Sequence, residues 1–534
     1  MELDCITYQD SGYYSQLIID YLQGNQSVRP FYGNQPDLDG FKLQLEQKSS
    51  FSKAHRSVLV SSLNEQYRQI ATSELVINHI DQLLQNNCFT ITTGHQLNLF
   101  TGPLYFLYKI ISVINSCKSL KHAYPEYDFV PVYWMATEDH DFDEINHFYI
   151  NGKIIRWEGQ EDQHGAVGEF KTDGLEEVLS VLKAELGPSE ASKELCDLFE
   201  QAYINHTNLS QATFYLANEL FKKEGLVIID PNKQALKRLF IPQIKKEFSE
   251  QVSFHMVSKT IEELSASTAS YSIQVNPREL NFFYLNEGLR ERIVKEGTLY
   301  KVLNTDISYT ESELTQMIEN HPEYFSPNVI LRPLYQEVIL PNLAYIGGAG
   351  ELAYWLELKK MFEGFSVTFP ILMLRDSVLI ISTKQSNKID KLGISSKDLF
   401  LSREDLINKH IRKISNIDID LSPLKDQLQT QFKELYRIAS QTDASFLGAV
   451  KAQEKKQFKG VDQLEKRLLN AQKKKLSDQI ARLVQLQEEL FPREGLQERA
   501  SNFSEFYNTY SSDYKKALLE NLDPFKKVFT ILKM

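Results

Sequence analysis

The sequence predicts an α/β fold in which helices cover both faces of a parallel sheet, two insertions interrupt the sheet, and a long helical segment follows it. Three observations predict this. Between residues 89 and 382 short apolar runs alternate with stretches of helical period, the pattern of strands joined by crossover helices. Several runs are apolar throughout, as strands buried on both faces are. From about Gln385 onward, leucines recur at coiled-coil spacing in a charged background.

Residues 1–86 carry helical spacing, as in Leu17, Ile18, Tyr21 and Leu22 and again in Val58, Leu63, Tyr67 and Ile70, with a turn at Gly33-Asn34-Gln35-Pro36. The predicted core strands are Phe89–Thr93, Phe129–Ala136, Leu226–Asp230, Val329–Arg332, Ala344–Ile346, Ser366–Thr368 and Val378–Ser382. The first insertion opens on a hairpin signal, Lys153–Trp157 with Gly165–Phe170, and continues as helices. The second holds β-like runs at Tyr271–Val275, Asn281–Leu285, Arg290–Val294 and Leu299–Val302, with a hairpin turn at Asn286-Glu287-Gly288. Thr310 and Glu313 then have capping-box spacing and start a helix. The expected division is core 1–149, insertion 150–222, core 223–270, insertion 271–320, core 321–384, helical coiled coil 385–500, and C-terminal helices 501–534 returning to the core.

In the coiled-coil segment Leu424, Leu428, Phe432 and Leu435, then Val461, Leu464 and Leu468, then Leu476, Ile480, Leu483 and Leu490 form apolar seams. A loop is expected at Gln441–Gly448 and a phase slip at Lys473-Lys474-Lys475. The pattern fits an antiparallel helical hairpin that also pairs with a second copy of the chain, a homodimer. Its lysines are interleaved with Glu454, Asp462, Glu465 and Asp478, as on a solvated face.

A chain of 534 residues needs more than one core. Its net charge of −12 gives no global basic field, so no nucleic-acid partner is expected. Cys5, Cys88, Cys117 and Cys196 lack zinc-type spacing. The N-terminus lacks the basic and apolar regions of a signal peptide, and no run approaches the ~18 apolar residues of a span. A cytoplasmic protein without membrane contact is expected.

Three stretches carry candidate chemistry. In the first, a β-rich run breaks at Thr93-Gly94-His95-Gln96, passes Asn98, and re-enters a helix through Gly102-Pro103-Leu104-Tyr105. Strand, polar glycine turn and helix are how an open α/β sheet makes a ligand crevice, and a helix start can receive an anion. In the second, the apolar run Pro131–Ala136 ends in Glu138-Asp139-His140-Asp141 and Asp143-Glu144. Such a cluster can bind an ammonium group, hold Mg²⁺, supply a general base, or be a solvated acidic loop. In the third, Asn328 and Arg332 precede Gly347-Gly348-Ala349-Gly350-Glu351 and Trp355; glycines there let a phosphate or adenine approach the backbone. No P-loop, no GxSxG elbow and no cysteine–histidine pairing is present.

These stretches resemble one family. Thr93-Gly94-His95-Gln96 with Leu99-Phe100-Thr101-Gly102-Pro103-Leu104-Tyr105, Pro131-Val132-Tyr133-Trp134 with Glu138-Asp139-His140-Asp141 and Asp143-Glu144-Ile145-Asn146, Ser326-Pro327-Asn328 with Arg332-Pro333, and Gly347–Glu351 with Ala353-Tyr354-Trp355 look like the four ordered blocks of the cysteine ligase family of bacillithiol biosynthesis. The likeness spans nearly the whole chain. His95 stands where glutamine is common, and Ala349 where proline is common.

The resemblance implies a Rossmann-type core like that of class I aminoacyl-tRNA synthetases, connecting-peptide insertions and a dimerising coiled coil. It implies addition of L-cysteine to the amine of glucosaminyl malate, forming an amide. No KMSKS-type loop accompanies it; Gly393-Ile394-Ser395-Ser396-Lys397 departs from that pattern. An amide from a carboxylate needs activation, so ATP is the expected donor, through a cysteinyl-adenylate or an acyl-phosphate. On this reading Thr93, Gly94, His95 and Gln96 hold phosphate at a helix start, and Gly347, Gly348 and Gly350 admit the adenosine. Glu138, Asp139 and Asp141 bind the cysteine ammonium or Mg²⁺, His140 or Asp139 accepts the amine proton, and Arg332 pairs with a malate carboxylate. Asn98, Tyr105, Asn328, Glu351 and Trp355 are further substrate contacts; no residue is assigned as a resident metal ligand. Two rival readings are a non-catalytic nucleotide-binding scaffold on a dimeric coiled coil, and a synthetase-like, tRNA-charging adenylate-forming enzyme.

Overall fold

The computed structural model describes residues 2–159, 163–266 and 271–534; the expected core–insertion boundary at residue 270 lies outside them. Five strands build the central sheet: β1 (Cys88–His95), β2 (Asp128–Met135), β3 (Val227–Ile229), β4 (Asn342–Gly347) and β5 (Ile371–Leu374). Their order is β5-β4-β1-β2-β3, and every neighbouring pair is parallel. Every residue of β1 and of β4 is buried, which is why these strands read as apolar runs without alternation. The order 3-2-1-4-5 reverses its direction of growth between β1 and β4. A crevice opens at such a reversal, outside the carboxyl ends of the two strands. Helix α1 (Tyr105–Ala123) crosses over from β1 to β2 with a largely buried inner face.

A second, antiparallel sheet runs Ser308–Thr310, Leu299–Val302, Leu289–Glu296, Phe282–Asn286 and Phe325–Pro327 in that spatial order. Its hairpin turns at Glu287-Gly288, and Thr310 and Glu313 make the capping box. The last strand delivers the chain to Asn328 above the central sheet. There the expected strand Val329–Arg332 is replaced by a turn: the Asn328 side-chain oxygen accepts from the amides of Ile330 and Leu331, and helix α2 (Arg332–Ile339) begins at once. An Asx-type bond of this kind competes with a strand ladder. Ser366–Thr368 is not a strand either. Ser366 has φ 56°, and pairing starts only at Ile371. Tyr271–Val275 forms no strand; the amides of Gln274 and Val275 donate to Glu357 instead. In the first insertion the hairpin pairs His147–Ile150 with Lys153–Arg156, and a 3-10 turn occupies Val167–Glu169.

A third sheet joins the two ends of the chain. Val528–Lys533 lies between Glu2–Thr7 and Ser377–Ile381, so residues 2–7 and 528–533 are strands where helices were expected. The Val378–Ser382 run is thus a strand of this sheet and not of the core. Beyond it, Ser422–Ala439 and Ala444–Lys475 pack antiparallel, with Tyr436 bonded to Glu454 and Lys425 to Glu465. The loop between them is shorter than expected, because Asp443 caps the second helix by accepting from the Phe446 amide. That helix ends at Lys475, and Ser477–Leu490 follows after a break at Leu476. Helices Phe503–Tyr510 and Ser512–Asn521 come back against the core, where the Asn502 amide donates to the carbonyls of Phe100 and Gly102.

Candidate active site

A cleft of about 420 Å³ opens over the carboxyl edge of the central sheet where β1 and β4 diverge. Gly94 and His95 at the end of β1, Glu138 and Asp139 beyond β2, Asn328 and Arg332, and Gly348, Gly350 and Glu351 beyond β4 all line it. The three separate stretches singled out in the sequence therefore share one hollow. Gly94 is small for a steric reason: a Cβ there would stand 3.3 Å from the Tyr345 hydroxyl and 3.4 Å from an Arg332 guanidinium nitrogen. Helix α3 (Ala349–Leu356) starts at the rim, and the space above Gly350 is open.

Lys109 ties the two glycine ends together. It lies one turn into α1, on the face of Tyr105. Its Nζ donates to the Gly94 carbonyl at 2.9 Å and pairs with Glu351 at 2.5 Å. Glu351 also accepts from the Tyr345 hydroxyl at 2.6 Å and from the Gly348 amide at 2.9 Å. Burial pushes the Glu351 carboxyl up, but Lys109 and these two donors outweigh it and hold it below the usual range. Glu351 is thus a cap and an ion-pair partner.

The acidic stretch divides at the strand end. Glu138 turns inward to Lys237, 2.5 Å away and fully buried, while the Ser326 hydroxyl donates to its other oxygen. Asp139 faces the cleft, accepting from the His140 amide and from Gln96 at 2.9 Å. Burial raises its carboxyl, yet these hydrogen bonds and nearby Arg290 prevail and keep it well below the ordinary carboxylate value. It is an anion at neutral pH and a poor proton acceptor. His140 and Asp141 do not line the cleft. His140 receives Arg290 on Nδ1 at 2.6 Å, and Asp141 is exposed at the start of the short helix Phe142–Ile145. His95 does line it. Its Nε2 is buried with no hydrogen-bond partner, and burial, with Lys109 and Arg375 close by, drives its pKa well below that of a free imidazole. At neutral pH it is an uncharged imidazole.

Other expected contacts stand elsewhere. Thr93 donates to the Ile346 carbonyl inside the sheet. Asn98 is buried beneath Glu144, whose carbonyl it meets at 3.4 Å. Gly347 packs on Leu352, and Trp355 stacks on Tyr345 at 4.4 Å as part of the core. The expected phosphate cradle of Thr93–Gln96 at a helix start does not form, because Thr93–His95 belong to β1 and α1 begins only at Tyr105. The Ser395-Ser396-Lys397 segment is spent on Asp4 and Asp10, away from the cleft.

Sequence reasoning missed most of the cations. Lys109, Arg290, Arg375 and Arg499 line the cleft with Arg332, five positive groups against Glu138, Asp139 and Glu351. Arg332 donates to the Tyr354 hydroxyl with one terminal nitrogen, and the other is buried without a partner; Nε of Arg290 and of Arg375 are likewise unsatisfied. Buried donors of this kind are costly unless something accepts from them. An anion is what such a hollow is built to take. A divalent ion held by protein carboxylates does not fit it: Glu138 is committed to Lys237, Glu351 to Lys109, and no group of three or more His, Cys, Asp or Glu side chains with metal-binding geometry occurs among the described residues. No helix of the described residues is long and apolar enough to cross a membrane.

Comparison with known proteins agrees with this architecture. Residues 1–376 match the family model for the N-terminal Rossmann-like domain of bacillithiol biosynthesis BshC, and residues 378–534 match its C-terminal coiled-coil domain. A protein of Flavobacterium johnsoniae is 53% identical over the full length of both chains. One from Christiangramia forsetii is 50% identical over 100% of this chain and 99% of its own, and one from Flavobacterium psychrophilum is 52% identical over the whole of both. All three bear the name "Putative cysteine ligase BshC". A solved structure from Campylobacter jejuni titled as a "putative arginyl t-RNA synthetase" covers 84% of this chain and 95% of its own at 13% identity, but with a TM-score of 0.19, too low to carry a likeness. With a parallel 3-2-1-4-5 sheet, a cleft at its reversal and two family models that together span the chain, this protein belongs to the BshC family of bacillithiol biosynthesis.

Proposed function

We propose that this chain is an ATP-dependent ligase that joins the carboxyl of L-cysteine to the amine of glucosaminyl malate. The observation that carries the reading is the cleft itself, in which cations outnumber carboxylates at the carboxyl edge of a nucleotide-binding type of sheet. A carboxylate does not acylate an amine at neutral pH. Transfer of a phosphoryl or adenylyl group from ATP to the cysteine carboxylate gives a mixed anhydride, and the sugar amine then displaces phosphate or AMP and loses a proton. In this scheme Gly348 and Gly350 let the nucleotide lie against the backbone, and Arg332 with its unsatisfied nitrogen stabilises negative charge. Asp139, held ionised, binds the cysteine ammonium. His95 stands in the same hollow as an uncharged imidazole and offers the attacking amine a hydrogen-bonding group at Nε2; like Asp139 it is held well below its ordinary pKa and is a poor proton acceptor, so the proton lost by the amine passes to solvent.

The helical segment supports a homodimer. Leu424, Leu435, Ile438 and Leu464 are 39–59% exposed along Ser422–Ala439 and Ala444–Lys475, seam positions for a second copy.

The test is reconstitution. Purified protein with ATP, cysteine and glucosaminyl malate is expected to form the amide, and cysteine-dependent exchange of labelled pyrophosphate into ATP separates the adenylate from the acyl-phosphate. Absence of amide under all conditions, with ATP bound, would leave the scaffold reading in its place.

A further inference from the structure

The segment that follows the coiled coil brings charge to the cleft. Helix Gln497–Ala500 lies against Ser377–Ile381, just past β5. Glu498 is 1% exposed, and its carboxylate accepts from Arg375 at 2.7 Å, from the Ser377 hydroxyl and from the Val378 amide. Arg375 is 3% exposed, stands over the Tyr105 ring at 5.3 Å, and keeps Nε unsatisfied at the cleft wall. The next residue, Arg499, lines the same wall and is exposed, with no ion-pair or side-chain hydrogen-bond partner among the described residues. Arg375 spends Nη1 on the Asp376 carbonyl and the Ser377 hydroxyl and Nη2 on Glu498, so Nε is the N–H it keeps for the cleft; with unpaired Arg499 lining the same cleft, the two can meet a single anion.

We infer that Arg375 and Arg499 form an anion subsite that selects one carboxylate- or phosphate-bearing substrate, and that Glu498 is a positioning residue that aims Arg375. The N-terminal module is then incomplete without residues 497–499, which the chain supplies only after the whole helical segment. The proposal deepens the ligase reading and rests on it only for which substrates carry the anions.

Two probes distinguish the sources: L-malate for the carboxylates of the sugar substrate and inorganic pyrophosphate for the nucleotide. Calorimetric binding to the full-length protein is compared for wild type, Arg499→Ala, Arg499→Lys and Glu498→Gln. Arg499→Ala changes an exposed side chain and is expected to leave the fold intact. It should weaken one probe at least tenfold and the other less than twofold, with Arg499→Lys restoring most of the loss. Glu498→Gln keeps the side-chain shape and should weaken the same probe, raising KM for the parent substrate more than it lowers kcat. Failure of wild type to bind either probe, equal loss of both, or no loss of either would overturn the subsite. Because binding is read without turnover, a protein that binds selectively but forms no amide would retire the ligase and leave the subsite standing.

Discussion

Lys109→Met removes a charged group that touches both sides of the sheet reversal. The methionine fills the same volume, but the Gly94 carbonyl loses its donor and Glu351 its counter-ion. Removing one member of a buried pair costs about 3–5 kcal/mol. Glu351 keeps the Tyr345 and Gly348 donors, and its side chain is 26% exposed, so the lower end, about 3 kcal/mol, applies. Glu351→Gln strands Lys109, 5% exposed, with only a carbonyl, and is expected to cost about the same. The double variant has no stranded charge, so it should cost little more than either single change, a coupling of about 3 kcal/mol. With an unfolding entropy of ~2.1 cal/mol/K per residue, a module of the matched span 1–376 shifts by roughly 1.3 °C per kcal/mol. Differential scanning calorimetry should thus find Tm about 4 °C lower for each single variant and about 4–5 °C lower for the double. A double variant near 8 °C lower would mean that the two residues act independently, and the tie across β1 and β4 would be refuted.

Four other outcomes follow from the same geometry. Glu138→Gln leaves fully buried Lys237 with the Phe325 carbonyl alone and should cost about 3 kcal/mol in denaturant unfolding, whereas Asp139→Asn should leave stability nearly intact and raise KM for cysteine at least tenfold; a binding scaffold would tolerate Asp139→Asn without functional loss. His95 takes a proton at its ordinary value of 6.5 in the unfolded chain but only well below it when folded. The unfolded state therefore binds more protons, and stability falls as pH drops below 6.5, by up to ~1.4 kcal/mol per unit from this residue. His95→Gln should flatten the acid limb of a Tm–pH profile, and an unchanged slope between pH 6.5 and 5.5 would contradict the buried neutral imidazole. Leu464→Glu, at the most exposed seam position, should convert a dimer to a monomer in sedimentation equilibrium without lowering Tm of the core; an unchanged mass would place the interface elsewhere.

What could be read along the chain was whatever a single strand and its following turn encode. Gly94, Gly348 and the acids after β2 stand at the ends of apolar runs, and in a parallel sheet such ends share one edge, so their meeting follows from topology. Lys109 and Arg375 were also legible in principle, as lone cations inside the apolar runs Tyr105–Ile111 and Ile371–Ile381, where a buried charge requires a partner. Arg290 and Arg499 carry no such mark. One rides on a hairpin of the second sheet, and the other arrives from beyond the helical hairpin, so their place in the cleft is fixed only by tertiary packing. The same holds for the division of labour among the acids. Glu138 and Asp139 are adjacent, chemically alike and both at the cleft wall, yet Lys237 takes up one while Gln96 and the His140 amide hold the other. The strand Val528–Lys533 was misread because six residues cannot separate a helical from an extended run by period, although Val528, Phe529, Thr530 and Ile531 are strand formers. It pairs with Ser377–Ile381, a strand that follows Arg375 directly and holds Gln497 and Glu498 on its amides. The chain terminus thus buttresses the wall from which Arg375 and Arg499 reach the cleft, and loss of the last strand should disturb anion binding there before it disturbs the parallel sheet.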